Sequence, residues 1–239
     1  KSLEIIINTE NFHVHKRIER SDKSEFRTLK VTQNDQSFED QYFLHSRSLD
    51  RPSDIHHKKR EGVDSRNISV AIPLLKEEMD EGILFSYLPV WENTGLPFMV
   101  NADFLLTSNR EGIHEDYNWN QWLRDEIAET YNLGFVSLLG SDRVSIDQKV
   151  NAYRSIPIEA NLNFLDPVVE SIHEGLSEMK CILSFKINEL NTPGKVKSPS
   201  PNFLKLLDTS KRLPSSISNN NHPLVLDKLL TPEFRQILK

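Results

Sequence analysis

The sequence predicts an α+β fold with a mostly antiparallel sheet and packed helices, and three observations lead to that prediction. Short apolar or alternating segments follow one another through the first half of the chain. Polar links of a few residues separate them, which is typical of an antiparallel meander. One long segment near the middle instead carries its apolar residues at helical spacing.

All but one of the predicted strands lie before the long helix. Alternation or a continuous apolar run predicts strands at Ser2–His15, Phe26–Thr32, Gln41–Arg47, Ile68–Leu75, Ile83–Val90 and Phe98–Thr107. Pro73 predicts that its strand ends there or lies at an edge of the sheet. The turn-rich link Trp91–Pro97 predicts that the last two strands form a hairpin. The very polar segment Arg51–Arg66 predicts an exposed loop or a short helix.

The strongest helix signal lies at Asn118–Leu139. Gly140 is a suitable stop, and Asn118 with Gln121 three residues later matches a capping box. The apolar face of this helix is formed by Trp119, Trp122, Leu123, Ile127 and Tyr131.

The character of the sequence changes near Asp142. We therefore expect an α+β domain over residues 1–141 and a mainly helical, loop-rich extension over residues 142–239. Asp166 and Pro167 predict a helix start, and Cys181–Ile187 predicts a strand. Short helical pieces are predicted between proline- and serine-rich loops, at Asn202–Asp208, Leu224–Leu230 and Pro232–Lys239.

Composition narrows the class of protein. The net charge of -6 argues against nucleic-acid binding as the main role, although it leaves room for a local basic patch. A single cysteine forbids an internal disulfide and fits an intracellular, cytoplasmic or nuclear location. No apolar run reaches the roughly 20 residues of a membrane span, so we expect no membrane partner. Because the chain begins with Lys1, we expect it to be part of a longer protein.

Three groups of residues offer chemistry, and each has a simpler structural explanation. His13 and His15 share a strand face and would hold zinc if His45, His56 or His57 converged on them, but surface histidines are the more common case. Ser108 with His114, Glu115 and Asp116 supplies the residue types of a hydrolase without the spacing of a nucleophile elbow. Lys58, Lys59 and Arg60 are suited to phosphate contacts or form a solvated loop.

Arg110 is the candidate that we rate highest. It follows a predicted buried strand, and Asn109, Glu111 and Gly112 surround it in a polar loop. An arginine at such a site can clamp a phosphate or stabilise charge on a transferred phosphoryl group. The alternative is a structural arginine that pairs with Glu111, Glu115 or Asp116.

The same region resembles a known family. The residues that carry the resemblance are the strand Ile68–Leu75, Leu84-Phe85-Ser86-Tyr87-Leu88-Pro89, Thr94-Gly95-Leu96-Pro97-Phe98, Asn101-Ala102-Asp103-Phe104-Leu105-Leu106, Ser108-Asn109-Arg110-Glu111 and Trp119-Asn120. With these residues the region is similar to the segment that follows the nucleotide-binding domain in sacsin-like and No-Vein-like proteins, which belong to the GHKL ATPases together with the heat-shock-90 chaperones.

The resemblance implies a transducer domain with a ribosomal-protein-S-five-like fold. In GHKL relatives this domain sends a basic residue to the γ-phosphate when two domains close. Arg110 is then the candidate phosphate sensor, with Asn109 beside it and Ser108 as a further cofactor contact. ATP and Mg²⁺ would be held by a preceding nucleotide-binding domain, which is the implied partner, and this chain alone would bind ATP weakly or not at all. The resemblance implies a chaperone-like, defence or developmental role.

Two other functions stay open on the sequence alone. The chain would serve as a non-enzymatic scaffold for protein interactions if Arg110 were structural. It would be a free-standing hydrolase or metal enzyme if His13, His15 and a carboxylate converged.

Overall fold

The structure is a computed structural model, and it describes residues 2–9, 12–19, 25–33, 36–74, 82–91, 93–183 and 189–196. The fold is α+β, as predicted, with a mostly antiparallel sheet against which the main helix packs. The short helices predicted beyond residue 196 lie outside the described residues.

One sheet of eight strands contains most of the β structure. Its order is β1-β2-β3-β4-β5-β8-β6-β7, and neighbours are antiparallel except β8 and β6, which run parallel. The strands are β1 (Ser2–Thr9), β2 (Phe12–Glu19), β3 (Phe26–Gln33), β4 (Gln36–Asp50), β5 (Ser65–Pro73), β6 (Leu84–Ser86), β7 (Leu88–Trp91) and β8 (Met99–Asn101). Strand β5 ends at Pro73 as predicted, but it lies between β4 and β8 and is not an edge.

The prediction of one strand over Ser2–His15 is wrong. The segment forms β1 and part of β2, which pair antiparallel so that Thr9 faces Phe12. The apolar residues change parity between Ile7 and Phe12 in the sequence. A continuous strand would have turned these two sets to opposite faces, so the change of parity marks the reversal.

The predicted hairpin of Ile83–Val90 with Phe98–Thr107 is also wrong. The first segment reverses at Tyr87, whose φ is +64°, and divides into β6 and β7. The second segment is a strand only over Met99–Asn101, and this strand pairs parallel to β6. A left-handed tyrosine ends a strand because L-residues rarely adopt that conformation within one.

Helix α1 (Asn118–Gly140) begins where predicted, ends one residue beyond the predicted Leu139, and has the predicted apolar face. The predicted capping box is wrong: Tyr117 occupies the N-cap position without a side-chain hydrogen bond, and the Gln121 amide donates to the carbonyl of Glu115. Gly134 lets α1 approach β4 closely, since a Cβ added there would lie 2.7 Å from the Cβ of His45.

The remaining helices are α2 (Ile146–Ala152) and α3 (Asp166–Glu178), and both pack on α1. Pro167 lies in the first turn of α3, as predicted. The predicted strand Cys181–Ile187 is described only at β9 (Ile182–Leu183), which pairs with β10 (Leu190–Asn191). Residues from both sides of Asp142 share one buried core, and the division into two domains stays a prediction.

Candidate functional site

A buried, irregular segment connects β8 to the polar loop around Arg110. Residues 102–105 are buried without forming a strand, so their backbone groups need other partners. Asn120 in the first turn of α1 supplies them: its amide accepts from the N–H of Leu105 at 2.7 Å and donates to the carbonyls of Leu105 and His114, both at 2.9 Å. One fully buried asparagine therefore joins both ends of the loop to the main helix.

The loop itself is a tight turn closed by backbone hydrogen bonds. Thr107 donates its N–H to the carbonyl of Gly112 at 2.9 Å, and Arg110 donates its N–H to the carbonyl of Thr107 at 3.0 Å. The Thr107 hydroxyl donates to Asn109, whose amide donates to the carboxylate of Glu111, each at 2.7 Å. Asn109 is therefore a scaffold residue of this turn.

The backbone of Arg110 lies in the left-handed region, with φ at +61°. This conformation costs an L-residue free energy, and non-glycine residues that adopt it cluster at functional sites. Its side chain is exposed and, among the described residues, forms neither an ion pair nor a hydrogen bond. The pairing with Glu111, Glu115 or Asp116 that a structural role requires is not found.

Asp103 is the centre of a charge cluster just before the turn. It is 7% exposed, and both of its carboxylate oxygens are engaged. Arg60 donates to them in a bidentate pair at 2.7 and 2.6 Å, and Arg66 donates through Nε at 2.5 Å. Trp119 donates its indole N–H to the Asp103 carbonyl at 2.9 Å, and the Arg66 guanidinium lies 6.0 Å from its ring centre. Two arginines therefore neutralise one buried carboxylate.

This cluster orders the basic segment around Lys58–Arg60, for which the sequence predicts an exposed loop or a short helix. Lys58–Arg60 form one turn of 3₁₀ helix, and Arg60 attaches this turn to Asp103. His57 caps the turn by accepting the N–H of Lys59 on Nδ1 at 3.2 Å. Partial burial, together with Lys59, Arg60 and His114, lowers the pKa of His57, which favours the neutral ring that this cap requires.

The turn, the cluster and the β6–β7 reversal border one groove of about 510 Å³. Three cations line it, Lys59, Arg60 and Arg110, and Asp103 is the one carboxylate among the described lining residues. Tyr87 and Leu88 stand at its rim, 78% and 60% exposed. The Tyr87 N–H donates to the Asn101 side chain at 3.1 Å. A positive groove with an apolar rim is suited to an anionic ligand.

The structure brings Arg110 and Ser108 together in this groove, with Asn109 supporting the turn. Ser108 makes no hydrogen bond with His114 among the described residues, and His114 stacks on Tyr117 with the ring centres 4.4 Å apart. The side chains of His13 and His15 lie outside the described residues. The described part of the chain contains no group of three side chains suited to holding a metal ion.

Sequence reasoning missed Asp103, Asn120 and Tyr87 as site residues. The signal for Asp103 was a charged residue inside a mostly apolar segment, because such residues are buried only with partners. Asn120 gave no such signal, since Asn118 and Gln121 close to it are polar as well. Tyr87 gave none either, since a tyrosine is equally typical of a strand.

Comparison with known proteins gives one partial relative. The chain is 28% identical to Protein NO VEIN of Arabidopsis thaliana over an alignment 137 positions long, which covers 52% of this chain. It spans only about 5% of the length of that protein. No family model matches the chain, and no solved structure matches it. None of the helices within the described ranges combines the length and the apolar character needed to cross a bilayer.

Proposed function

We propose that this chain is the transducer segment of a GHKL-type, heat-shock-90-like ATP-binding protein. In this proposal a preceding domain of the same polypeptide binds ATP with Mg²⁺, and closure of the two domains brings Arg110 to the γ-phosphate. The contact couples nucleotide binding to a conformational change, in a chaperone-like, defence or developmental role. The partial similarity to Protein NO VEIN supports this assignment.

The observation that carries the proposal is the guanidinium of Arg110, which has no partner among the described residues and lies on a strained, closed turn. A cation carried on an already ordered backbone stabilises developing phosphoryl charge at a smaller cost of reorganisation. Glu111 would be the natural partner for a structural arginine, but the amide of Asn109 engages its carboxylate instead. The turn therefore leaves Arg110 available to an external anion.

The groove suits the phosphates of ATP but not its Mg²⁺. Asp103 is the carboxylate of the groove, and two arginines already occupy its oxygens. It is therefore poorly suited to Mg²⁺, which takes oxygen ligands at short distance and usually carboxylates. The proposal assigns the metal to the preceding domain and the cation that senses phosphate to this chain.

The test uses a polypeptide that carries this chain together with the segment preceding it. Arg110→Ala is expected to lower steady-state ATP hydrolysis by about 10- to 1,000-fold, because it removes one preorganised charge. Arg143→Ala is the matched control, since Arg143 is also exposed but follows α1 and does not line the groove. Unchanged hydrolysis in Arg110→Ala, in a polypeptide that is otherwise active, would refute the phosphate-sensor role.

A second candidate function is a non-enzymatic scaffold for protein interactions, and the exposed pair Tyr87 and Leu88 favours it. A large aromatic residue held by a left-handed backbone at a groove rim is typical of a binding anchor. Under this alternative, Tyr87→Ala would weaken partner binding, and neither Arg110→Ala nor added ATP would alter it. A dependence of partner binding on ATP would favour the transducer instead.

A further inference from the structure

Lys59 is a second cation of the groove that has no partner within the part of the chain that the structure describes. It lines the same groove as Arg110, it is exposed, and its ammonium forms no ion pair or hydrogen bond with any described residue. Arg60 differs from it, since Asp103 already engages that guanidinium in a bidentate pair. Of the three cations in the groove, Lys59 and Arg110 therefore remain available to a ligand.

The backbone that carries Lys59 is fixed from three directions. Arg60 attaches the 3₁₀ turn to buried Asp103, and His57 accepts the N–H of Lys59. Arg51 closes the base of the segment by donating to the carbonyls of Val63 and Ile55 at 2.8 and 2.6 Å. A side chain whose backbone is already ordered loses less entropy when it binds. A surface lysine on a mobile loop would lack this advantage.

The neighbouring lysine shows that the placement is specific to one residue. Lys58 lies on the same turn and is also exposed, but it lines a different cavity of about 370 Å³ together with Arg51 and His56. Successive residues of a 3₁₀ turn point about one third of a revolution apart. The turn therefore directs one of its two lysines into the groove.

We propose that the groove binds the phosphate chain of a nucleoside triphosphate, with Lys59 as a second phosphate contact beside Arg110. The inference rests on the proposed function for the source of the triphosphate. Two cations and one neutralised carboxylate suit a chain of linked phosphates better than a single carboxylate ligand, because each phosphate offers its own anionic oxygens. A groove of about 510 Å³ also exceeds the size of a single phosphate.

The experiment measures binding of sodium tripolyphosphate to the 239-residue chain at low ionic strength. Tripolyphosphate presents the phosphate chain without a base, and chemical shift titration reports the dissociation constant. We expect weak binding, on the order of millimolar. Lys59→Gln and Arg110→Gln are each expected to weaken it about tenfold, as loss of a charge-assisted hydrogen bond does. Lys58→Gln removes the same charge from the same turn and is expected to change it by less than about twofold.

Two results would overturn the inference. Equal losses in Lys58→Gln and Lys59→Gln would indicate general attraction to the basic segment, and no measurable binding by the unaltered chain would remove the site. Circular dichroism and the thermal midpoint establish that each variant is folded, so that a loss of binding is not a loss of structure.

The two proposals fail separately. If Arg110→Ala abolishes ATP hydrolysis in the longer polypeptide while Lys58→Gln and Lys59→Gln behave alike here, the transducer proposal stands and the second contact is wrong. If Lys59→Gln weakens tripolyphosphate binding and Lys58→Gln does not, while Arg110→Ala leaves hydrolysis unchanged, the groove binds phosphates but Arg110 is not a phosphate sensor. A titration with ATP then shows whether the nucleoside adds affinity, which we expect from the Tyr87 rim.

Discussion

Replacing Arg110 by glycine is expected to stabilise the fold while removing the candidate phosphate contact. A left-handed backbone costs an L-residue about 1–2 kcal/mol, and glycine avoids that cost. Glycine also gains about 0.5–1 kcal/mol of conformational entropy in the unfolded chain, which opposes the effect. Relative to Arg110→Ala, Arg110→Gly should therefore be more stable by about 0.5–1 kcal/mol. Both variants lack the guanidinium, so their difference isolates the backbone at φ +61°.

Thermal unfolding followed by circular dichroism measures the difference. For a chain of this size, 1 kcal/mol corresponds to about 2–4 °C in Tm. Ser108 is the matched control in the same turn, because its φ is not positive, and there alanine should be more stable than glycine. If Arg110→Gly is less stable than Arg110→Ala, the turn is not strained at this position. The argument that strain is retained for function would then be refuted.

Two further predictions concern the supports of the site. Asp103→Asn should destabilise the fold by about 1–3 kcal/mol, measured by urea unfolding, because it leaves Arg60 and Arg66 without a charged acceptor. The control is Asp64→Asn, because Asp64 is 95% exposed and lies 3.9 Å from Arg51. It should cost less than about 0.5 kcal/mol. Burial lowers the pKa of His45 below its usual 6.5, while Glu25 opposes the shift and Arg47 adds to it. The contribution of neutral His45 to the free energy of unfolding is therefore complete above pH 6.5 and is lost as the pH falls through the lowered pKa. The urea midpoint should therefore fall more between about pH 7 and about pH 5 in the unaltered chain than in His45→Gln, and equal falls would contradict the assignment.

Local periodicity was sufficient to predict those elements whose apolar residues recur over a long stretch of sequence. Helix α1 matches its predicted limits to within one residue because its apolar face recurs over about six turns of about 3.6 residues each. The same reasoning failed at Ile83–Val90, where two very short strands meet at Tyr87. A continuous apolar run contains no periodic signal for a reversal, so only the backbone conformation reveals it.

The candidate site was predictable in its loop and not in its partners. The residues around Arg110 lie within one short stretch, and their polar, glycine-closed pattern is visible in the sequence. Arg60 and Asp103 are 43 residues apart, so nothing local indicates that they pair. For that reason the sequence favours a solvated loop at Lys58–Arg60. In the structure, Arg60 is instead fixed by Asp103, and Lys59 lines the groove.

The separation of these roles explains how a chain of net charge -6 can present a positive groove. Asp103 pairs with Arg60 and Arg66 and offsets one of their two positive charges, so these pairs hold the segment in place. The Asn109 amide engages the carboxylate of Glu111, and Arg110 forms no pair with that carboxylate. A binding cation is effective when the fold, and not the ligand, supplies the energy that orders it. The pair between Arg60 and Asp103 orders the backbone at Lys59, and the hydrogen bond between Thr107 and Gly112 orders the backbone at Arg110.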